Sequence, residues 1–284
     1  MVADEGSSPP QPKPVPSKEL STRVLSALVM VAAALLTAYL GGWPFALFWL
    51  AAGIAIVVEW TDMTGIEPRR LVQAILGLGL AALTLLFLLG SSFWPCVAVS
   101  LAFLAVAAIA VSGAQKRVWA VSSFIYAVPI VLIPPIVRAH PDLGILGLLW
   151  MFAVVWATDI AAYFTGRTFG GPKLCPPISP KKTWSGFIGG VIAATACGLL
   201  VAWIGQRYDA ALPLSFTGIA ALSIVASIAS QVGDLGESAL KRHCQVKDSS
   251  HLIPGHGGVM DRLDGFWAVC LIVALVLLTI ARTI

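Results

Sequence analysis

Charge is scarce in this chain. Asp, Glu, Lys and Arg supply 11% of its 284 residues while apolar side chains supply 58%. Soluble domains carry about a quarter charged residues, so a single soluble core could not hide this much apolar surface. Cysteine and histidine are also sparse, at five and four residues. The cysteines (96, 175, 197, 244 and 270) form no CxxC pair and no Cys/His metal spacing. That removes structural zinc and a disulfide framework and leaves them as small core residues. A GxxxxGK[ST] loop and a GxGxxG fingerprint are both missing, which excludes the common nucleotide-binding turns. No internal repeat is visible. No small-residue cleavage site follows the polar start, so residues 1–23 read as a disordered cytoplasmic tail and not as a signal peptide.

What is there is length. A membrane-crossing helix needs about 20 apolar residues. Nine stretches qualify, near 24–41, 43–60, 71–89, 94–112, 118–137, 143–163, 184–204, 214–232 and 266–282. The Gly-Gly-Trp-Pro break at 41–44 separates the first two into a hairpin. Pro129, Pro134 and Pro135 predict a kinked or broken fifth span. The expected fold is an all-α polytopic membrane protein, with a transmembrane half over 24–150 and a catalytic half over 151–284. Fifteen of the eighteen Lys and Arg residues fall on one side of this nine-span layout. Positive charge accumulates on the cytoplasmic side, so the N-terminus and the polar loops of the second half are expected there and the C-terminus outside. A net charge of +4 requires no nucleic-acid partner.

The charge that exists is concentrated. Residues 231–264 hold nine charged groups and three of the four histidines. Asp234, Glu237, Ser238 and Lys241 continue the eighth span at helical spacing, on one face. A Gly- and His-rich loop follows, and Asp261 and Asp264 lead into the ninth span. Interleaved acids and bases suit a metal ion with a polyanion better than a bare lipid-headgroup patch, which would be Lys and Arg alone. Carboxylates without thiols indicate a hard cation, and Mg²⁺ takes a few carboxylates together with water and substrate phosphate. Asp234 and Asp261 are the expected metal ligands. Lys181, Lys182, Lys241, Arg242, Lys247 and Arg262 would face phosphate charge. Glu59 and Asp62, at the end of the second span, read as interfacial end caps, with a functional role left open because acids at membrane depth are rarely idle.

The run Ser238-Ala239-Leu240-Lys241-Arg242, then Lys247-Asp248, then Pro254-Gly255-His256-Gly257-Gly258-Val259-Met260-Asp261-Arg262-Leu263-Asp264, resembles the signature of the CDP-diacylglycerol synthase (phosphatidate cytidylyltransferase) family. Gly233-Asp234-Leu235-Gly236-Glu237-Ser238, Ser179-Pro180-Lys181-Lys182-Thr183-Trp184 and Asp159 with Ala162-Tyr163 are similar to further stretches of that family. The resemblance is strong over about 156–266 and general elsewhere. Ser185 stands where relatives often carry Glu or Gln, and Gly265 where many carry Ser.

The resemblance implies condensation of CTP with phosphatidic acid in the bilayer to give CDP-diacylglycerol and pyrophosphate, with Mg²⁺ and a possible second ion. A bacterial inner-membrane location and a possible homodimer are further expectations. Under that reading Asp234, Lys241, Arg242, Lys247, Asp261 and Arg262 are catalytic. Ser179, Lys181, Lys182, Thr183, Ser238, His256, Gly257 and Gly258 contact substrate. Glu237, Asp248 and Asp264 orient neighbours, and Asp159 pairs with a cation of the site or touches the metal. Lys116 and Arg117, in another polar loop, are expected to matter little. A CTP-dependent polyprenol or dolichol kinase and a membrane transporter remain as alternatives.

Overall fold

A computed structural model describes residues 17–280. Its described residues contain nine helices long and apolar enough to cross a membrane. They are α1 (Ser17–Leu40), α2 (Gly42–Thr64), α3 (Arg69–Leu88), α4 (Phe93–Ala110), α5 (Ala114–Ala139), α6 (Gly144–Phe169), α7 (Trp184–Arg207), α8 (Phe216–His243) and α9 (Met260–Ile280). The protein is an all-α integral membrane protein. The tail expected over 1–23 lies outside the described residues up to position 16, and from Ser17 onward it is helix.

Helices are the economical answer to a solvent that cannot hydrogen-bond, because every backbone group is satisfied within the segment. The hairpin at 41–42 forms because both glycines take positive φ, 65° and 49°, a region that costs other residues energy. The fifth span is not broken. α5 runs unbroken through Pro129, Pro134 and Pro135, and the last two are buried against neighbouring helices. The Gly/Pro-rich loop of the second half is also more ordered than expected. It contains an antiparallel hairpin, β1 (Lys173–Cys175) and β2 (Ser179–Thr183).

Three kinds of packing place the polar end. Stacked aromatics tie α9 to two helices of the first half: Trp49 of α2 lies on Phe266 at 5.1 Å between centroids, and Tyr126 of α5 on Trp267 at 4.5 Å. Such pairs add about 0.5–1.5 kcal/mol beyond their buried area. Small residues let helices touch, as in membrane bundles generally. A Cβ on Gly233 would meet the Asp264 carbonyl oxygen at 2.7 Å, so glycine there lets α8 rest directly on α9. Polar ties fix the ends. Arg138 Nε donates to Ala38 O at 2.7 Å at one end. At the other end Lys116 Nζ donates to Thr64 O at 2.7 Å and Gly65 O at 2.6 Å, closing the C-terminus of α2. Lys116 therefore supports the fold and does not sit idle in its loop.

Candidate active site

The C-terminal ends of α2, α6 and α8 meet the N-terminal ends of α1, α7 and α9 on one side of the bundle. Two cavities open there. A polar one of about 600 Å³ is lined by Asp159, Tyr163, Arg167, Lys173, Lys181, Lys182, Thr183, Gln231, Asp234, Asp261, Arg262 and Asp264, among others. An apolar one of about 700 Å³ lies between α1, α2, α6 and α9, with Met30, Val31, Ala52, Phe152, Trp156 and Phe266 in its walls. Asp159, Asp261, Arg262 and Asp264 line both.

The walls carry paired charges. Lys182 Nζ stands 2.6 Å from Asp234 Oδ2. This contact joins the β2 strand to α8, across a long interval of sequence. Ser238 Oγ donates to the other oxygen of Asp234 at 3.3 Å. On α9, Asp261 Oδ1 takes Lys241 Nζ at 2.6 Å. Its Oδ2 accepts from Ser249 N at 2.9 Å and Gly258 N at 2.8 Å, and Ser249 Oγ, whose one hydrogen it shares with Glu59, lies 3.0 Å away. Lys241 also lies 3.4 Å from Glu237 Oε1, one helical turn earlier. Asp264 accepts from the backbone of Gly265 at 2.7 Å. Thr183 caps α7, its Oγ1 accepting from Gly186 N at 3.2 Å, so the helix begins where the strand delivers the two lysines.

Several expected site residues lie elsewhere. Arg242 and Lys247 are exposed and line neither cavity. Neighbours on a helix point about 100° apart, so Arg242 cannot share the face of Lys241. Asp248 is exposed and forms no ion pair among the described residues, so it orients neither Lys nor Arg. Asp159 likewise makes no ion pair within 4.0 Å; it sits at the junction of the cavities instead of against a cation. Ser179 lies at the start of β2, away from both walls. Gly257 and Gly258 wrap Asp261 and line neither cavity. Gly257 has φ 82°, and a Cβ there would stand 2.7 Å from Asp261 Oδ2. His256 faces the apolar cavity, and its Nδ1 lies 2.7 Å from Ser26 Oγ on α1. Burial and the nearby Arg262 push the His256 imidazole below its ordinary pKa, which favours the neutral ring that can accept from Ser26.

Other contributors carry little sequence signal. Arg167 and Lys173 add cationic wall to the polar cavity, and Arg167 donates to the Tyr163 hydroxyl at 2.9 Å. Glu59 is fully buried and reaches the 249–260 segment from α2. The two departures from the common pattern have local reasons. Ser185 Oγ donates to Gly170 O, tying the start of α7 to the end of α6. Gly265 lies against Ser230 Oγ, which leaves no room for a side chain.

A sequence model described as the cytidylyltransferase family matches residues 21–280. The chain belongs to the cytidylyltransferase family. Among similar cytidylyltransferases, the phosphatidate cytidylyltransferase of Brucella suis is 39% identical over 249 residues, covering 88% of this chain and 90% of that protein. The protein of the same name from Haemophilus influenzae is 34% identical, over 88% of this chain and 95% of its own length. The Bacillus subtilis one is 40% identical over 130 residues, 46% of each chain.

Cytidylyltransferase chemistry joins polyanions, and the acid-rich wall fits a divalent cation. Asp234 and Asp261 line one cavity, and the carboxyls around it outnumber the lysines tied to them. Glu237 lies behind this wall on α8, fully buried beside Lys241. Among the described residues no three His, Cys, Asp or Glu side chains converge to hold an ion alone. An ion held by Asp234 and Asp261 would complete its shell with water and substrate phosphate.

Proposed function

We propose that the chain is a phosphatidate cytidylyltransferase that joins CTP to phosphatidic acid, forming CDP-diacylglycerol and pyrophosphate. The observation that carries this reading is the junction of the two cavities. One chamber is polar and cationic, as a nucleoside triphosphate requires. The other is apolar and lies along α1, α2 and α6 within the membrane-spanning region, as acyl chains require. Asp159, Asp261, Arg262 and Asp264 belong to both, so a soluble polyanion and a lipid headgroup can meet there.

The reaction needs no general base. A phosphate oxygen of the lipid, already ionised at neutral pH, attacks the α-phosphorus of CTP. The bond from that phosphorus to the bridging oxygen of the β-phosphate breaks in line, and pyrophosphate leaves with the electron pair. The obstacle is repulsion between anions, so catalysis rests on positioning and on fixed positive charge. Lys181, Lys182, Arg167 and Lys173 hold the triphosphate from the β-hairpin and the end of α6. Arg262, braced by two bonds to His256 O at 3.1 and 2.7 Å, faces the lipid phosphate at the junction. Asp234 and Asp261 would hold Mg²⁺, which when bound supplies charge neutralisation across the phosphates. Lys241 keeps Asp261 in place. The Lys and Arg bias supports an orientation of this face towards the cytoplasm, where CTP is found, in the inner membrane of a bacterial cell.

The two-chamber reading is tested by filling one chamber. Ala52→Phe puts a ring into the apolar wall. Initial-rate kinetics in mixed micelles should show KM for phosphatidate raised fivefold or more, with KM for CTP within twofold of the parent. Equal rises in both constants would remove the division of labour between the chambers.

A further inference from the structure

Glu59 accepts four hydrogen bonds, and the mechanism above gives it no part. It lies on α2, in the half of the chain without the signature motifs, and is fully buried. Each carboxylate oxygen accepts two hydrogen bonds. Oε1 takes Ser250 Oγ and Val259 N, both at 2.7 Å. Oε2 takes Ser249 Oγ at 3.0 Å and Met260 N at 2.8 Å. Val259 N and Met260 N are amides at the start of α9, where a helix leaves donors without partners and where negative charge is favoured.

We infer that Glu59 is a positioning residue for Asp261, acting on it from the opposite half of the chain through Ser249 and the first turn of α9. The connection is short. Ser249 Oγ lies 3.0 Å from Glu59 Oε2 and 3.0 Å from Asp261 Oδ2. The backbone N of Ser249 donates to the same Asp261 oxygen. Gly258, whose amide also donates to that oxygen, passes so close that a Cβ on it would meet Glu59 Oε1 at 2.6 Å. The loop carrying both Asp261 donors is therefore clamped between the two carboxylates. α2 can act as the fixed side of this clamp because Lys116 closes its C-terminus one turn beyond Glu59.

The clamp needs four acceptors, two on each oxygen. In Glu59→Gln one oxygen becomes an NH2 group, which would face either Val259 N–H or Met260 N–H donor to donor. The amide is close in size to the acid, so the change isolates acceptor chemistry from packing.

The test uses the full-length protein in nanodiscs, with Glu59→Gln, Ser249→Ala and the double variant. It reads hydrogen–deuterium exchange and two-substrate kinetics together. Glu59→Gln should speed exchange at 249 and 258–260 at least tenfold, leave α7 unchanged, lower kcat tenfold or more and leave KM for CTP within threefold. In the Glu59→Gln background, Ser249→Ala should cost less than twofold further, because both act along one path. Unchanged exchange at those amides, a kcat within twofold of the parent, or full multiplication of the two single effects would each overturn the inference. If Glu59→Gln does not elute as a folded species, Ser249→Ala alone decides: kcat should fall at least threefold at constant KM, and a parental kcat rejects the path. The kinetic arm rests on the phosphatidate reading. An inactive parent would count against that reading, and the exchange arm would still decide the role of Glu59.

Discussion

Asp261→Asn should lower turnover roughly a thousandfold, the scale of losing a preorganised electrostatic group in a closed site. The substitution keeps volume and shape, yet it fits in neither orientation. With its NH2 at Oδ2 it meets the amides of Ser249 and Gly258 donor to donor. With its NH2 at Oδ1 it meets the Lys241 ammonium, which stands 2.6 Å away in the parent. A buried group left without a partner costs about 1–3 kcal/mol, so a lower melting temperature should accompany the lost activity. The measurement is labelled-CTP turnover of purified protein at saturating Mg²⁺, with Asp234→Asn in parallel. Turnover near the parent's, still dependent on Mg²⁺, would remove Asp261 from the role of metal ligand.

Lys241→Met should cost stability more than any other single change at this end of the bundle. Lys241 is the only ammonium within 4.0 Å of Asp261 or Glu237 among the described residues. Its side chain is 14% exposed, against 6% for Asp261 and 0% for Glu237. Removing one partner of a buried pair costs about 3–5 kcal/mol, because the other charge stays behind. The expected result is poor recovery of folded protein and a clear drop in melting temperature in detergent. Adding Asp261→Asn to Lys241→Met should recover part of the loss, since it removes the carboxylate left without its cation. A melting temperature equal to the parent's in the single variant would show that these carboxyls do not depend on Lys241.

Much of the architecture is legible because the bilayer restricts what a chain can do. Nine apolar runs give nine helices among the described residues, and the Gly-Gly pair separates the first two where two positive φ values are required. The helical spacing of Asp234, Glu237 and Lys241 is legible for the same reason: α8 continues past its apolar part as one helix to His243. The link from the 179–184 segment to α8 is seen in the structure as the Lys182–Asp234 contact. What stays hidden in the sequence is tertiary. Glu59 looks like an end cap because its partners Ser249 and Ser250 lie 190 and 191 residues away. Arg242 and Lys247 look like site residues by proximity along the chain, but the turn of the helix and the course of the loop carry them outward. The glycines at 257 and 258 read as substrate contacts through the family resemblance, and in three dimensions they make room for Asp261 and Glu59. The β-hairpin at 173–183 is too short and too rich in Pro to carry a periodic signal.

Union of a cytidine nucleotide with a lipid phosphate at the junction of the two cavities leaves a direct record in the products. Mass spectrometry of the mixture from purified protein, CTP, phosphatidate and Mg²⁺ reads that record. CDP-diacylglycerol and pyrophosphate should appear in equal amounts. CDP together with a lipid carrying one additional phosphate would mean transfer of the terminal phosphoryl group and would contradict it, as would recovery of both substrates unchanged.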